Sequence, residues 1–195
     1  MRTLYNRAIK AVVTDVKNYP FGEEGKISIK FPKSSKIGLI DTEIVELENL
    51  DLSNDPILNH ARNIWLTAYY FAGMRITDVL LLKWRDIQND RLFYTMSKNN
   101  EPCSLKIPQK IYPILEQYKK DERKHDLIFP ELKFIDSLNN LFKLQKRIAH
   151  VVNYQNTKMK KVFAMLNIKK KSSTHVTRHS FAQRAEELGV HPRVV

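Results

Sequence analysis

The sequence has one cysteine, Cys103, only five glycines, and 21 acidic residues against 33 lysines and arginines. A single thiol excludes an internal disulfide and any multi-cysteine zinc or iron–sulfur site. Five glycines and eight prolines exclude a low-complexity or collagen-like chain. The longest apolar stretches, such as residues 68–74, fall far short of the roughly 20 residues that a membrane span needs. The opening residues, MRTLYNR, lack the apolar core of a signal peptide. These absences leave a soluble, intracellular protein with no membrane partner as the expectation. What is present fits that class. Apolar residues make up 43% and charged residues 28% of 195 residues, a globular composition able to build one domain with a core and a short appendage.

The shortage of acid leaves a net charge of +12 and a pI near 9.7. Such a surplus speaks of partners rather than fold, and for an intracellular domain the natural polyanion is nucleic acid. The positive residues cluster at Lys143, Lys146 and Arg147, at Lys158, Lys160 and Lys161, and at Lys169, Lys170 and Lys171. Each cluster alone also reads as a solvated helix face. Three in succession favour a stripe along a phosphate backbone.

Apolar spacing predicts a helix over residues 3–17, carried by Leu4, Tyr5, Ala8, Ile9, Val12, Val13 and Val16. Residues 19–40 read as a linker with a short extended piece at 27–31. Helices follow: one capped by Asp41 or Thr42, one opened by Asp55–Pro56 and stopped at Gly73, and one over 76–82. Two strands, 91–96 and 103–107, flank the turn residues 97–102, predicting a hairpin. Helices then return at about 110–119, across 136–166, and over 174–188 to Gly189. The expected fold is mainly α with a small antiparallel β-sheet, an α+β domain at 41–195 preceded by a terminal helix at 1–18.

Two segments carry chemistry. In Phe71-Ala72-Gly73-Met74-Arg75-Ile76-Thr77-Asp78, a glycine ends one helix and an arginine starts the next. Arg75 either turns out of a buried junction or pairs with Asp78 at i+3. In Thr174-His175-Val176-Thr177-Arg178-His179-Ser180-Phe181-Ala182, a cap at Ser172, Ser173 or Thr174 puts His175 in the first helical turn with Arg178 on the same face. An anion there meets backbone N–H groups, an imidazole and a guanidinium. His175 and His179 stand at metal-ligand spacing, but no third ligand lies nearby, and no metal is expected. His179 reads as structural, and Phe181 and Ala182 as core.

Together these segments resemble the catalytic domain of the tyrosine recombinases, the phage-integrase type of DNA breaking-rejoining enzyme. The Gly73–Asp78 run is similar to that family's first arginine box, and His175–Ala182 to its His-x-x-Arg box. The likeness spans about residues 42–195, with the 3–17 helix resembling the end of the preceding core-binding domain. It implies site-specific DNA recombination or integration, with cleavage and rejoining through a 3′-phosphotyrosine and no cofactor. It assigns Arg75 and Arg178 to clamping the phosphate oxygens, Lys98 at the hairpin tip to protonating the leaving 5′-oxygen, and His175 to assisting. Lys106 is the alternative lysine.

The same resemblance implies a second His or Trp and a nucleophilic tyrosine downstream of Arg178. All eight tyrosines precede it, and His191 arrives too early in a Val-His-Pro loop. The expectation is therefore a truncated catalytic domain that binds double-stranded DNA without cleaving it, with apolar surface exposed where the later helices would lie. The parent is expected to act as a tetramer on DNA and to be cytoplasmic, encoded by a bacterium, phage or mobile element. A non-catalytic DNA-binding module of the same fold is the rival reading. A metal-dependent nuclease would need clustered carboxylates that the sequence does not show.

Overall fold

A computed structural model describes residues 2–21, 27, 38–119 and 124–190. The chain divides into two compact units, Met1–Ser35 and Lys36–Val195. In the smaller unit, helix α1 spans Arg2–Lys10 and a single 3-10 turn spans Val16–Asn18. The predicted helix to residue 17 is therefore too long. It closes after Lys10 because Val13 N–H bonds to Ala8 O and Val12 N–H to Ile9 O, with Val12 at φ 57°. That is a Schellman closure, unusual in carrying a β-branched residue in the left-handed position. Tyr5, Tyr19 and Phe21 then pack edge to face. Ile27 bridges Phe21, and the rest of the predicted extended piece lies outside the described residues.

The larger unit begins its described part at Gly38. Helix α2 is Asp41–Asn49, and its cap is Ile40 rather than Asp41 or Thr42. The Glu43 carboxylate accepts the Ile40 N–H at 2.8 Å, so the acid in the first turn does the capping. Helix α3, Pro56–Tyr70, opens as the sequence predicts: Asp55 accepts Leu58 N–H at 2.9 Å and proline fills the first helical position. It is the central element, burying nine of its residues, among them Trp65 and Ala68. Ala72 and Gly73, both at positive φ, turn the chain into α4, Ile76–Leu81.

The hairpin forms as expected and gains a third strand. β1 (Ile87–Gln88), β2 (Arg91–Thr95) and β3 (Pro102–Lys106) make one antiparallel sheet in that order. Tyr94 faces Cys103, and Thr95 faces Pro102 beside the turn. β1 escaped notice because two residues carry no alternation. Along β2 the pleat turns Leu92 and Tyr94 inward and Arg91, Phe93 and Thr95 outward.

Helix α5 is Tyr112–Tyr118, after a 3-10 turn over Gln109–Ile111. Helix α6 runs from Leu141 to Met165, five residues later than predicted at its start. The delay has a cause: Asn140 donates its N–H to Ser137 O and accepts Lys143 N–H at 3.1 Å, so the cap sits at 140. Leu144, Ile148, Val151, Gln155, Met159 and Val162 form its buried stripe. Helix α7, Val176–Glu187, ends at Gly189 with Val190 N–H on Ala185 O. None of Ser172, Ser173 or Thr174 caps it. His175 itself occupies the cap position, because Val176 N–H bonds to Ser173 O in a preliminary turn and Asn156 Oδ1 takes the Thr174 N–H.

Among the described residues no helix is long and apolar enough to cross a membrane, and no group of three or more His, Cys, Asp or Glu could hold a metal ion.

Candidate functional site

The two arginine segments meet. α7 passes so close to the turn after α3 that a Cβ on Gly73 would lie 2.9 Å from Arg178 Cα. Arg178 Nη1 donates to Gly73 O at 2.7 Å. Arg75, two residues on, stands at the cap of α4 with an extended backbone. Its guanidinium makes no hydrogen bond or ion pair among the described residues. Both arginines line one cleft of about 410 Å³, together with Asp78, Tyr94, Asn99 and Arg184. The apolar part of its wall includes Phe71, Met74, Phe181 and Leu188.

Asp78 does not pair with Arg75 as one sequence reading allowed. Its carboxylate is buried, 4% exposed, and accepts both the N–H of Ser97, at 3.1 Å, and the Ser97 hydroxyl. α4 thereby holds the first residue of the hairpin turn. Lys98 comes next and is exposed, and Asn99 beyond it lines the cleft. Lys98 itself does not line the cleft, nor does His175, which is exposed at the start of α7. Lys106 sits at the other end of β3, paired with Arg91.

Tyr94 is the tyrosine on the cleft wall. Burial, with Cys103 facing it across the sheet, pushes its phenol above the ordinary range. Burial also raises Tyr69 in α3. Along α7, Phe181 is half-buried against the core with its ring edge-on to Tyr69. Ala182 is exposed, contrary to the sequence expectation, because it falls on the outward side of a helix whose inward residues are Val176, Thr177, Ser180 and Ala185.

The basic clusters divide by circumstance. Lys143, Lys146, Lys169 and Lys171 are exposed. Arg147 instead donates from Nε to Glu131 O at 3.1 Å, and Lys170 forms an ion pair with Glu43 at 2.6 Å. Sequence reasoning missed Ser97, Asn156, Ser180 and Gly38 as residues that hold the site. A serine or glycine carries no signal of its own until the fold shows what it touches.

The sequence pattern of the phage integrase family matches residues 44–195. No curated protein matches the chain by sequence. Among solved structures it is similar to the Tn1549 transposon integrase in complex with a circular intermediate DNA, with a TM-score of 0.62 at 9% identity over 99% of this chain and 66% of that one. It is similar also to the XerA recombinase, with a TM-score of 0.58 at 17% identity over 98% of this chain and 62% of that one. The chain thus spans somewhat under two thirds of the length of these structures, and at such identities the likeness establishes the fold.

Proposed function

Because the chain belongs to the phage integrase family, we propose that it is the catalytic domain of a site-specific DNA recombinase, and that the cleft between Arg75 and Arg178 receives the scissile phosphodiester. The observation that carries this reading is the convergence of two arginines, 103 positions apart in sequence, on one cleft through the Gly73–Arg178 contact. In phosphoryl transfer the charge gathers on the non-bridging oxygens. Two guanidiniums, always charged and planar, stabilise that charge better than lysines could. Arg178 spends one of its five N–H donors on Gly73 O, which fixes its orientation and leaves the rest for the anion.

Lys98 is the proposed general acid. Ser97 is tied to Asp78 and Asn99 lines the cleft, which supports this reading of the lysine between them. Lys106, at the other end of its strand, is less well placed. His175 is proposed to brace the phosphate from the start of α7. All eight tyrosines precede Arg178, whereas the resemblance puts the nucleophile after it; of the two with raised phenols, Tyr94 is held in a strand and Tyr69 is buried in α3. The nucleophile is therefore proposed to lie after Val195. The partner is double-stranded DNA, met through exposed lysines such as Lys143, Lys146, Lys169 and Lys171, and the parent protein is proposed to work as a tetramer.

The test uses a nicked duplex that traps a covalent protein–DNA adduct. This chain is expected to bind the duplex and give no adduct, while a longer protein carrying the following residues gives a 3′-phosphotyrosine adduct that Arg178→Ala abolishes. A longer protein that binds DNA but never forms the adduct would make the domain a non-catalytic binding module.

A further inference from the structure

Helix α7 bears Arg178, yet it buries only Val176, Thr177, Ser180 and Ala185. Two of those four are hydroxyl residues, so the apolar packing that fixes the helix comes down to Val176, Ala185 and the half-buried Phe181. Polar pins and close backbone approaches add to it. On the cleft side the pin is Gly73, described above. On another side it is the chain that enters the larger unit.

There, Leu39 N–H, buried, donates to Ser180 Oγ at 2.8 Å, and the same hydroxyl donates to Val176 O at 2.8 Å. Ser180 is 0% exposed, so neither bond competes with water. A Cβ on Gly38 would lie 2.5 Å from both Ser180 Cα and Ser180 N, and 2.7 Å from His179 C. All three are backbone atoms, so no rotamer change could relieve the overlap. One turn further, Arg184 pairs with Asp41 at 2.6 Å. Glu43 reaches Lys170, in the run-in to α7, at 2.6 Å.

We propose that residues 38–43 form a positioning clamp on α7, in which Gly38 and Ser180 set where the Arg178 guanidinium stands in the cleft, so that a displacement of the entering chain is felt at the phosphate site. This rests on Arg178 being a phosphate ligand. The clamp assigns Ser180 and Gly38 as positioning residues, and it takes Lys170 out of the DNA-facing set. The coupling runs two positions along one helix, from Ser180 to Arg178.

The test compares the full chain with Ser180→Ala, Ser180→Thr and Gly38→Ala by amide hydrogen exchange and by titration with inorganic phosphate, followed on the Arg178 Nε–Hε resonance. Ser180→Ala, which loses both buried hydrogen bonds of the hydroxyl, is expected to raise exchange across residues 176–182 by roughly ten- to a hundredfold with α3 unchanged. Phosphate affinity is expected to fall several-fold, and Ser180→Thr to restore it. Gly38→Ala leaves every hydrogen-bonding group in place and is expected to weaken phosphate binding by displacement, which keeps the test decisive if Ser180→Ala does not fold. Faster exchange in α7 with unaltered phosphate affinity in both Ser180→Ala and Gly38→Ala would overturn the clamp as a positioning device. Arg178→Ala, followed on the Arg75 Nε–Hε resonance instead, separates the two levels: if it too leaves phosphate binding unaltered, the reading of Arg178 as ligand is what fails.

Discussion

Arg178 donates from Nη1 to the carbonyl oxygen of Gly73 at 2.7 Å, joining two segments 105 residues apart. The bond depends on how near α7 can come to the turn after α3, and that nearness depends on residue 73 having no side chain. A carbonyl at a left-handed turn is free of helical duty and can accept a guanidinium. One local device, a glycine at φ 63°, thus ends a helix, admits a second helix and orients a charged group.

Gly73→Ala is accordingly expected to be costly twice over. The new Cβ meets Arg178 Cα at 2.9 Å, and alanine disfavours the left-handed backbone. A loss of about 1–3 kcal/mol in urea unfolding is expected, with phosphate binding lost disproportionately. Wild-type stability in this variant would show that the approach of α7 is not as close as described.

Asp78→Asn addresses the hairpin. The carboxylate accepts two bonds from Ser97 in a buried position, and a charged acceptor of that kind contributes about 1.5–3 kcal/mol for each bond. The amide keeps the shape and loses the charge. Exchange at residues 96–101 is expected to accelerate while α3 and α6 remain protected. Equal acceleration everywhere would mean that Asp78 supports the core rather than the turn carrying Lys98.

The lysines separate by whether they are already engaged. Replacing exposed Lys143 and Lys146 with alanine is expected to flatten the salt dependence of duplex binding by up to about 0.9 in the log–log slope for each phosphate contact removed. Lys170→Ala, which strips the partner from Glu43, is expected to lower stability and leave the slope alone. A slope change from Lys170→Ala and none from the Lys143/Lys146 pair would reverse the assignment.

Alkaline pH should weaken the fold through Tyr94 and Tyr69. Burial raises both phenols in the folded chain, so above pH 10 the unfolded chain releases protons that the folded one retains. Stability is therefore full below about pH 10 and falls as pH rises beyond it. Tyr94→Phe should make that fall shallower in unfolding experiments between pH 9 and 11. An unchanged pH profile would place the Tyr94 hydroxyl in water.

Much of the fold was legible in the residues. Asp55–Pro56, Gly73 and Gly189 mark helix ends by local chemistry, and the structure uses all three. The hairpin was readable from alternation around its turn residues. Misreadings arose where nonlocal or short-range bonds overrode pattern: Val12 accepting a left-handed turn, Asn140 capping beyond the expected start, His175 displaced to the cap by the Asn156–Thr174 bond. The arginines could be found by motif. The resemblance implied that they would meet at one phosphate, but the contact that brings them together could not be read, because it depends on Gly73 and α7 meeting across 105 residues. Ser180 and Gly38 were invisible for the same reason.

The most direct test of the central claim is a crystal structure of the chain grown with inorganic phosphate. The expected result is one anion in the cleft bonded by both Arg75 and Arg178, with Gly73 O still on Arg178 Nη1 and the Lys98 turn at the cleft mouth. An anion bound elsewhere, with the two guanidiniums turned to different faces, would contradict it.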